Sequence, residues 1–364
     1  MLASVLFAAA TASTPQPGAL EFRSIVPSDV HKLCSLLDEN YITSPDGALQ
    51  MVYSARLLRW LLTFPGAHRD LCLGASEHGS HELIGFVCAI PSPLLLRGVA
   101  HLGDAVEVTL LSVRRSWRGH GIARKLLAEL RMRGAAHGIH CAIYTGAERR
   151  GQPVLTLRCS HRPLRLRELL RKGFCEPLPD VPLSRLAAAQ PPLPRAPRAL
   201  RLRRMRAADV AGCRALACAR AAESDIGALP TLEQFRHKFL DAPGVCSLVL
   251  PARQSRAPAR AFISFVLQPL RTRRGRPILQ AVLLGLALTP GESAHWLLAQ
   301  ALVAAQERGA HVFNALPLGE LTARMLAALG FSEGDGSAHV YVEDDLGSTG
   351  ATLAAKKVSW IPLP

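Results

Sequence analysis

The stretch Arg114-Arg115-Ser116-Trp117-Arg118-Gly119-His120-Gly121-Ile122-Ala123 sets three arginines and two glycines directly after the apolar run Val106–Val113. A strand, a basic loop and a helix start in that order place free backbone N–H groups and the positive end of a helix dipole at the loop's end. Small residues let a phosphate approach there, and guanidinium groups add charge-assisted hydrogen bonds. The chemistry this suits is the binding of a pyrophosphate-like anion; the competing reading is a plain strand–turn–helix at the surface. The other reactive types do not gather. The nine cysteines form no C-x-x-C pair and no metal spacing with His, so no metal is expected and the thiols read as reduced core residues.

The 364 residues that position this loop are 49% hydrophobic and 20% charged, which suits two globular domains better than a disordered chain. The net charge of +15 favours an anionic partner. No basic stripe interleaved with aromatics is present, so nucleic acid is not expected. Met1–Thr14 is apolar without a basic start, and no segment reads as a transmembrane span. A Pro/Arg-rich stretch divides the chain, giving an N-terminal arm (1–19), a first half (20–175), a connector (176–201) and a second half (202–364). Both halves open alike, with Ile25–Val30 and Arg204–Val210 each carrying an Asp before a helical pattern. Such a repeat predicts an internal duplication. Strands are predicted at 83–90, 106–113, 246–250, 261–267 and 278–286, and helices at 124–136 and 294–308. The fold class is α/β, with a mixed sheet flanked by helices in each half.

Arg118-x-x-Gly121-x-Ala123 matches the GNAT signature R/Q-x-x-G-x-G/A, and a longer likeness surrounds it. Glu107-Val108-Thr109-Leu110-Leu111-Ser112-Val113-Arg114-Arg115 resembles the E-I-N-F-L-C-x-H-K of the protein N-myristoyltransferase family. Ala142-Ile143-Tyr144-Thr145-Gly146 is similar to its A-V-Y-T-A-G, and Pro153–Arg162 to its P-V-x-T-x-R-Y-W-H-R. Glu39-Asn40-Tyr41 matches E-N-Y, and Tyr53-Ser54, Leu58, Trp60 and Pro65-Gly66 keep the spacing of the next motif. In the second half, Val312–Leu316 resembles V-F-N-A-L, and Leu329–Gly336 resembles K-F-G-x-G-D-G.

The resemblance implies two GNAT-like halves and transfer of a tetradecanoyl group from CoA to the amine of an N-terminal glycine. It assigns the base to the terminal carboxylate of Pro364, the oxyanion hole to the N–H groups of Leu110 and Leu111, and a hold on the glycine amine to Thr145. Myristoyl-CoA as co-substrate falls to Leu110, Leu111, Ser112, Val113, Arg114, Arg115, Arg118, Gly119, Gly121, Ile122 and Ala123. The peptide falls to Tyr41, Thr109, Thr145, His161, Ser264 and Asp335. Partners are proteins with an N-terminal glycine, met by a cytoplasmic monomer. Departures from the family pattern are the loop Ile42–Gly47, whose one carboxylate is Asp46, Val266 and Leu286 in place of Tyr, Cys159-Ser160 in place of Tyr-Trp, and two prolines in the tail. A GNAT acetyltransferase, or a paralogue that binds acyl-CoA or peptide without turnover, shares many of these features.

Overall fold

A computed structural model describes residues 19–41, 49–175, 181–188, 190–193, 202–252, 259–272, 274–344 and 353–363. The expected arm (1–19), apart from Ala19, the loop carrying Asp46, and Pro364 lie outside the described residues. The first half contributes β1 (Leu20–Ser24), α1 (Val30–Asn40), β2 (Leu49–Met51), α2 (Ala55–Leu62), β3 (Cys72–Glu77), β4 (Gly85–Pro91), β5 (Leu94–Leu96), β6 (Val99–His101), β7 (Ala105–Val113), α3 (Ile122–Ala136), β8 (Cys141–Gly146), β9 (Leu155–Pro163) and α4 (Leu166–Lys172). After α5 (Leu183–Ala188) come β10 (Arg203–Arg204), α6 (Val210–Ala222), β11 (Ile226–Ala228), α7 (Leu232–Arg236), β12 (Val245–Leu250), β13 (Ala261–Thr272), β14 (Pro277–Leu288), α8 (Ala294–Glu307), β15 (Val312–Ala315), α9 (Ala323–Ala328) and β16 (Ser332–Asp344). The expected connector therefore holds a short helix, α5, with Pro182, Pro191 and Pro192 outside the helical turns.

The predicted strands and helices form within a few residues of their expected bounds. Their assembly is one mixed sheet with the order β1-β3-β4-β7-β8-β16-β9-β15-β14-β13-β12-β10, and β2 attached to β13. Read inward from either edge, the order repeats: β1-β3-β4-β7-β8 and β10-β12-β13-β14-β15. In each run the last pair is parallel and crosses over through a helix, β7–β8 through α3 and β14–β15 through α8. The centre is an exchange, because β16 of the second half pairs with β8 and β9, and β9 of the first half pairs with β15. The α/β class and the repeated halves stand. The sheet is shared, and each half leaves its last strand with the other.

Alternation along the strands sorts the core onto two faces. On β4, Phe86, Cys88 and Ile90 join α1, α2, α6 and α7 in one cluster that spans both halves. Val87 and Ala89 face the other way, onto Trp117, Leu126 and Leu130 beside and along α3. In the second half Ile263 and Phe265 pack on α8, whose Leu297, Leu298 and Leu302 are fully buried.

The repeated openings are the same device. Arg23 on β1 makes a bidentate pair with Asp29, and Arg203 on β10 makes one with Asp209. Each Asp sits in the first turn and reaches back, accepting from Val26 N–H at 3.2 Å or from Arg206 N–H at 2.8 Å. The carboxylates thus tie turn to strand, where a side-chain cap at the start of the long helix was expected. Hydrogen bonding to the arginines holds both carboxyls below the usual carboxylate range. Stability of this origin is present above the unfolded-state pKa and is lost as pH falls through the depressed native value. Asp209→Ala should cost about 1–2 kcal/mol at neutral pH. Thermal unfolding of native and variant protein should show that difference shrinking below about pH 4; a gap that persists there would contradict it.

Candidate active site

The site begins where two strands part. β7 pairs with β8 only over Ala105–Glu107 against Cys141–Ile143. On its other side Cys88 faces Thr109 and Phe86 faces Ser112, so Leu110 and Leu111 together oppose one residue of β4. Leu110 takes the extra turn with φ at +55°, rare for a side-chain-bearing residue. A bulge of this kind bends and twists its strand. Between the separated strands lies a cleft of about 2960 Å³.

The outer wall of the cleft is the start of α3. Gly121 precedes it with φ at +73° and no side-chain cap. The first intrahelical bond of this turn runs from Lys125 N–H to Gly121 O, so the N–H groups of Ile122, Ala123 and Arg124 have no partner one turn back. All three residues line the cleft, with Gly119, Gly121 and Arg118. A β-carbon at Gly121 would meet nothing within 4 Å, so glycine is required there by conformation, and the space above it is open. That is a donor-rich, positively polarised wall of the kind that accepts phosphate.

The three arginines divide the work differently from the expectation. Arg118 lines the cleft, but its Nη2 donates to Asn40 O at 2.6 Å and its Nε to Val113 O at 3.2 Å. Arg114 is ion-paired with Glu39 and Glu82, and neither Arg114 nor Arg115 lines the cleft. Asn40, which was not singled out, anchors the loop: its Oδ1 also accepts from Arg115 N–H at 2.8 Å. The Glu39-Asn40 pair thus works by fixing the loop's path, and a polar residue buried at the end of α1 is the signal that marks it. Arg124, Arg131 and Arg150 line the cleft instead.

Thr109, Leu110, Leu111, Ser112 and Val113 line the cleft from β7, Thr145 lines it from β8, and Tyr41 completes this group. The Tyr41 phenol is buried edge-on to Tyr53, and burial pushes its pKa up. A small apolar pocket shares Thr109, Leu110 and Leu363 with the cleft and continues to Tyr53, Leu58 and Leu284.

His161 stands apart, in a cavity of about 860 Å³ shared with Asn314, Leu286 and Ile361. Gln280 donates to Gln268 at 3.0 Å and Asn314 donates to Gln280 at 2.6 Å, which leaves Asn314 Oδ1 to accept from His161 Nδ1 at 2.8 Å. The buried Nε2 is then a lone acceptor with no protein partner among the described residues. Asp335 is exposed on β16 and reaches His161 only through its field. Its neighbour Gly334 matters sterically, because a β-carbon there would run into the His161 ring. Ser264 lies apart from these cavities: it is 0% exposed and its hydroxyl is 2.7 Å from that of Ser247, so it packs in the core. Pro364 lies outside the described residues, whereas Leu363 beside it is buried, with its N–H on Glu107. Among the described residues no group of His, Cys, Asp and Glu is arranged for a metal, and no helix is long and apolar enough to cross a membrane.

Comparison with known proteins agrees with this geometry. Residues 14–157 match the family model described as Myristoyl-CoA:protein N-myristoyltransferase, N-terminal domain. The chain is 27% identical over 318 residues to the glycylpeptide N-tetradecanoyltransferase of Drosophila melanogaster, covering 86% of this chain and 66% of that protein. It is 30% identical over 209 residues to that of Candida albicans, covering 57% of this chain and 46% of that one. The chain thus spans less than two thirds of the length of these relatives. A crystal structure of Saccharomyces cerevisiae N-myristoyltransferase with bound myristoyl-CoA superposes with a TM-score of 0.81 at 22% identity, over 97% of this chain and 87% of that one, which fixes the fold. The chain is thus similar to N-myristoyltransferases in sequence and in fold.

Burial lowers the His161 pKa below the usual histidine value, with the Asn314 hydrogen bond opposing it. Nitrogen NMR should find the neutral Nδ1–H tautomer at pH 7, and Gly334→Ala should disturb that signal by displacing the ring. An imidazolium at pH 7, or a variant spectrum unchanged at His161, would contradict the arrangement.

Proposed function

We propose that the protein transfers a tetradecanoyl group from myristoyl-CoA to the α-amine of an N-terminal glycine on a protein or peptide. The observation that carries this reading is the opening of β7 from β8 beside a helix start whose N–H groups are free. The first half (20–175) would hold the acyl-CoA and the second (202–364) would complete the peptide path. In this reading the protein acts as a monomer. A CoA thioester co-substrate is compatible with work in the cytoplasm.

In this reading the free N–H groups of Ile122 and Ala123 meet the pyrophosphate. The bulge at Leu110 and Leu111 turns main-chain N–H groups toward the thioester carbonyl, where they stabilise the charge that develops on its oxygen. An α-ammonium has a pKa of about 7.7–8.0, so the amine must shed a proton before it attacks. Thr145, across the cleft on β8, is placed to orient it. The new N–C bond forms as the C–S bond breaks; the electron pair leaves on sulfur, and the proton released from the attacking amine ends on it as the free thiol of CoA. The apolar cavity beyond Leu110 suits the end of a long acyl chain, which favours myristoyl over acetyl transfer.

The decisive measurement is mass spectrometry of a glycine-initiated peptide incubated with the protein and a series of acyl-CoA thioesters. Myristoyl transfer is expected, with affinity falling about 0.8 kcal/mol, or roughly fourfold, for each CH₂ removed. Equal use of acetyl-CoA would favour a GNAT acetyltransferase, and acyl-CoA binding with no product would favour a paralogue without turnover. Ala123→Glu should place a carboxylate against the pyrophosphate and weaken CoA by at least about tenfold in calorimetry; an unchanged Kd in a folded variant would remove the assignment of this helix start.

A further inference from the structure

The segment after Ser359 is held in an unusual way. Up to Ser359 its main chain bonds to β11 and its flank, through Asp225 N–H to Lys357 O and Ser359 N–H to Ile226 O. Beyond it the described main chain is held by two hydrogen bonds, and both go to charged side chains. Leu363 N–H donates to Glu107 Oε1 at 2.7 Å, and Lys238 Nζ donates to Ile361 O at 3.2 Å. Glu107 lies at the last paired position of β7 and is 5% exposed. Lys238 lies in the π-helical turn His237–Asp241 that follows α7, with its ammonium 5.6 Å from the centre of the Phe239 ring. Single π turns interrupt helices chiefly where a site needs a side chain re-aimed. Both residues line a cavity of about 750 Å³ beneath the segment, and Leu363 is shared by this cavity, the cleft and the apolar pocket.

We propose that Glu107 and Lys238, one from each half, are positioning residues that hold Trp360–Leu363 across the inner end of the cleft, so that Leu363 forms the wall against which the acyl transfer takes place. The proposal rests on the acyltransferase reading for its catalytic part, and on contacts alone for the hold itself. Two charges in an apolar interior are costly to desolvate, and a well-packed apolar pair of similar volume would serve stability as well or better. Burial raises the Glu107 carboxyl and lowers the Lys238 ammonium, each opposed by the other's charge, so the charged forms are disfavoured by the fold they sit in. What the pair does provide is direction, a donor and an acceptor that fix two main-chain atoms two residues apart.

The test compares native protein with E107Q/K238M, which removes both charges together and leaves neither one buried alone. Four quantities are read: thermal midpoint, acyl-CoA affinity, peptide kinetics, and hydrogen exchange of the peptide covering 358–363. The double variant should keep its midpoint and bind acyl-CoA within about twofold, lose exchange protection in 360–363, and lose at least about tenfold in kcat with little change in peptide KM. Unchanged protection, or lost protection with native kcat, would overturn the proposal. A native protein that transfers nothing would sink the acyltransferase reading instead, and the exchange result would still decide whether the pair holds the segment.

Discussion

Parallel neighbours β7 and β8 stay hydrogen-bonded for three residues and then part. The separation is forced from one side: two residues of β7, Leu110 and Leu111, occupy the space of one on β4, and Leu110 absorbs the strain with a left-handed backbone. The rest of the site follows. The gap becomes a cleft, the helix that links the two strands starts at its rim, and the bulged residues Leu110 and Leu111 line it. Asn40 and Glu39 at the end of α1 hold the loop beside the opening.

The second half contains the same parallel pair, β14 with β15 over Gln280–Val282 and Val312–Asn314, followed by the same crossover helix. It has no comparable anion site because its helix start is satisfied from within. Ser293 caps α8 by accepting from Trp296 N–H, whereas Gly121 leaves the start of α3 bare. α8 is also buried along most of its length, while α3 presents a rim to solvent. The His161–Asn314–Gln280–Gln268 chain runs across the paired strands β9, β15, β14 and β13, and its His161 is donated by β9 of the other half. The same arrangement thus leaves the start of α3 uncapped behind Gly121 and the start of α8 capped by Ser293.

The sequence made the local parts legible and left the non-local ones hidden. A strand, a basic loop and a small-residue helix start are decided within twenty residues, and they appear as expected. Which arginine faces the ligand is not decided locally: Arg114 is spent on Glu39 and Glu82, partners brought near only by the sheet. Ser264 sits in an apolar run whose alternation does not reveal that its face is sealed by Ser247 and β14. β16 was hidden because Gly334-Asp335-Gly336 reads as a turn, and it is a bulge within a long strand, between Glu333 and Ser337. Gly334 is needed for the close approach of His161, a packing reason that no turn pattern carries.

The strand exchange gives the buried polar residues at the centre a common cause. β9 and β16 each bring side chains chosen by their own half into a sheet built by the other, so the join between halves is made of strand pairing and not of surface contact. Apolar residues alone would let such strands slip, since register by burial is set only to every second residue. Directional groups remove that freedom: Thr156 with His339 across β9 and β16, His161 with Asn314 across β9 and β15, and Tyr144 with Glu343 across β8 and β16. Each of these pairs crosses from one half to the other, and the Glu107–Lys238 pair does the same one layer away, through the segment it holds. The polar groups that cost most to bury are therefore concentrated where two copies of one fold had to be fixed in a single register, and the candidate site lies along that join.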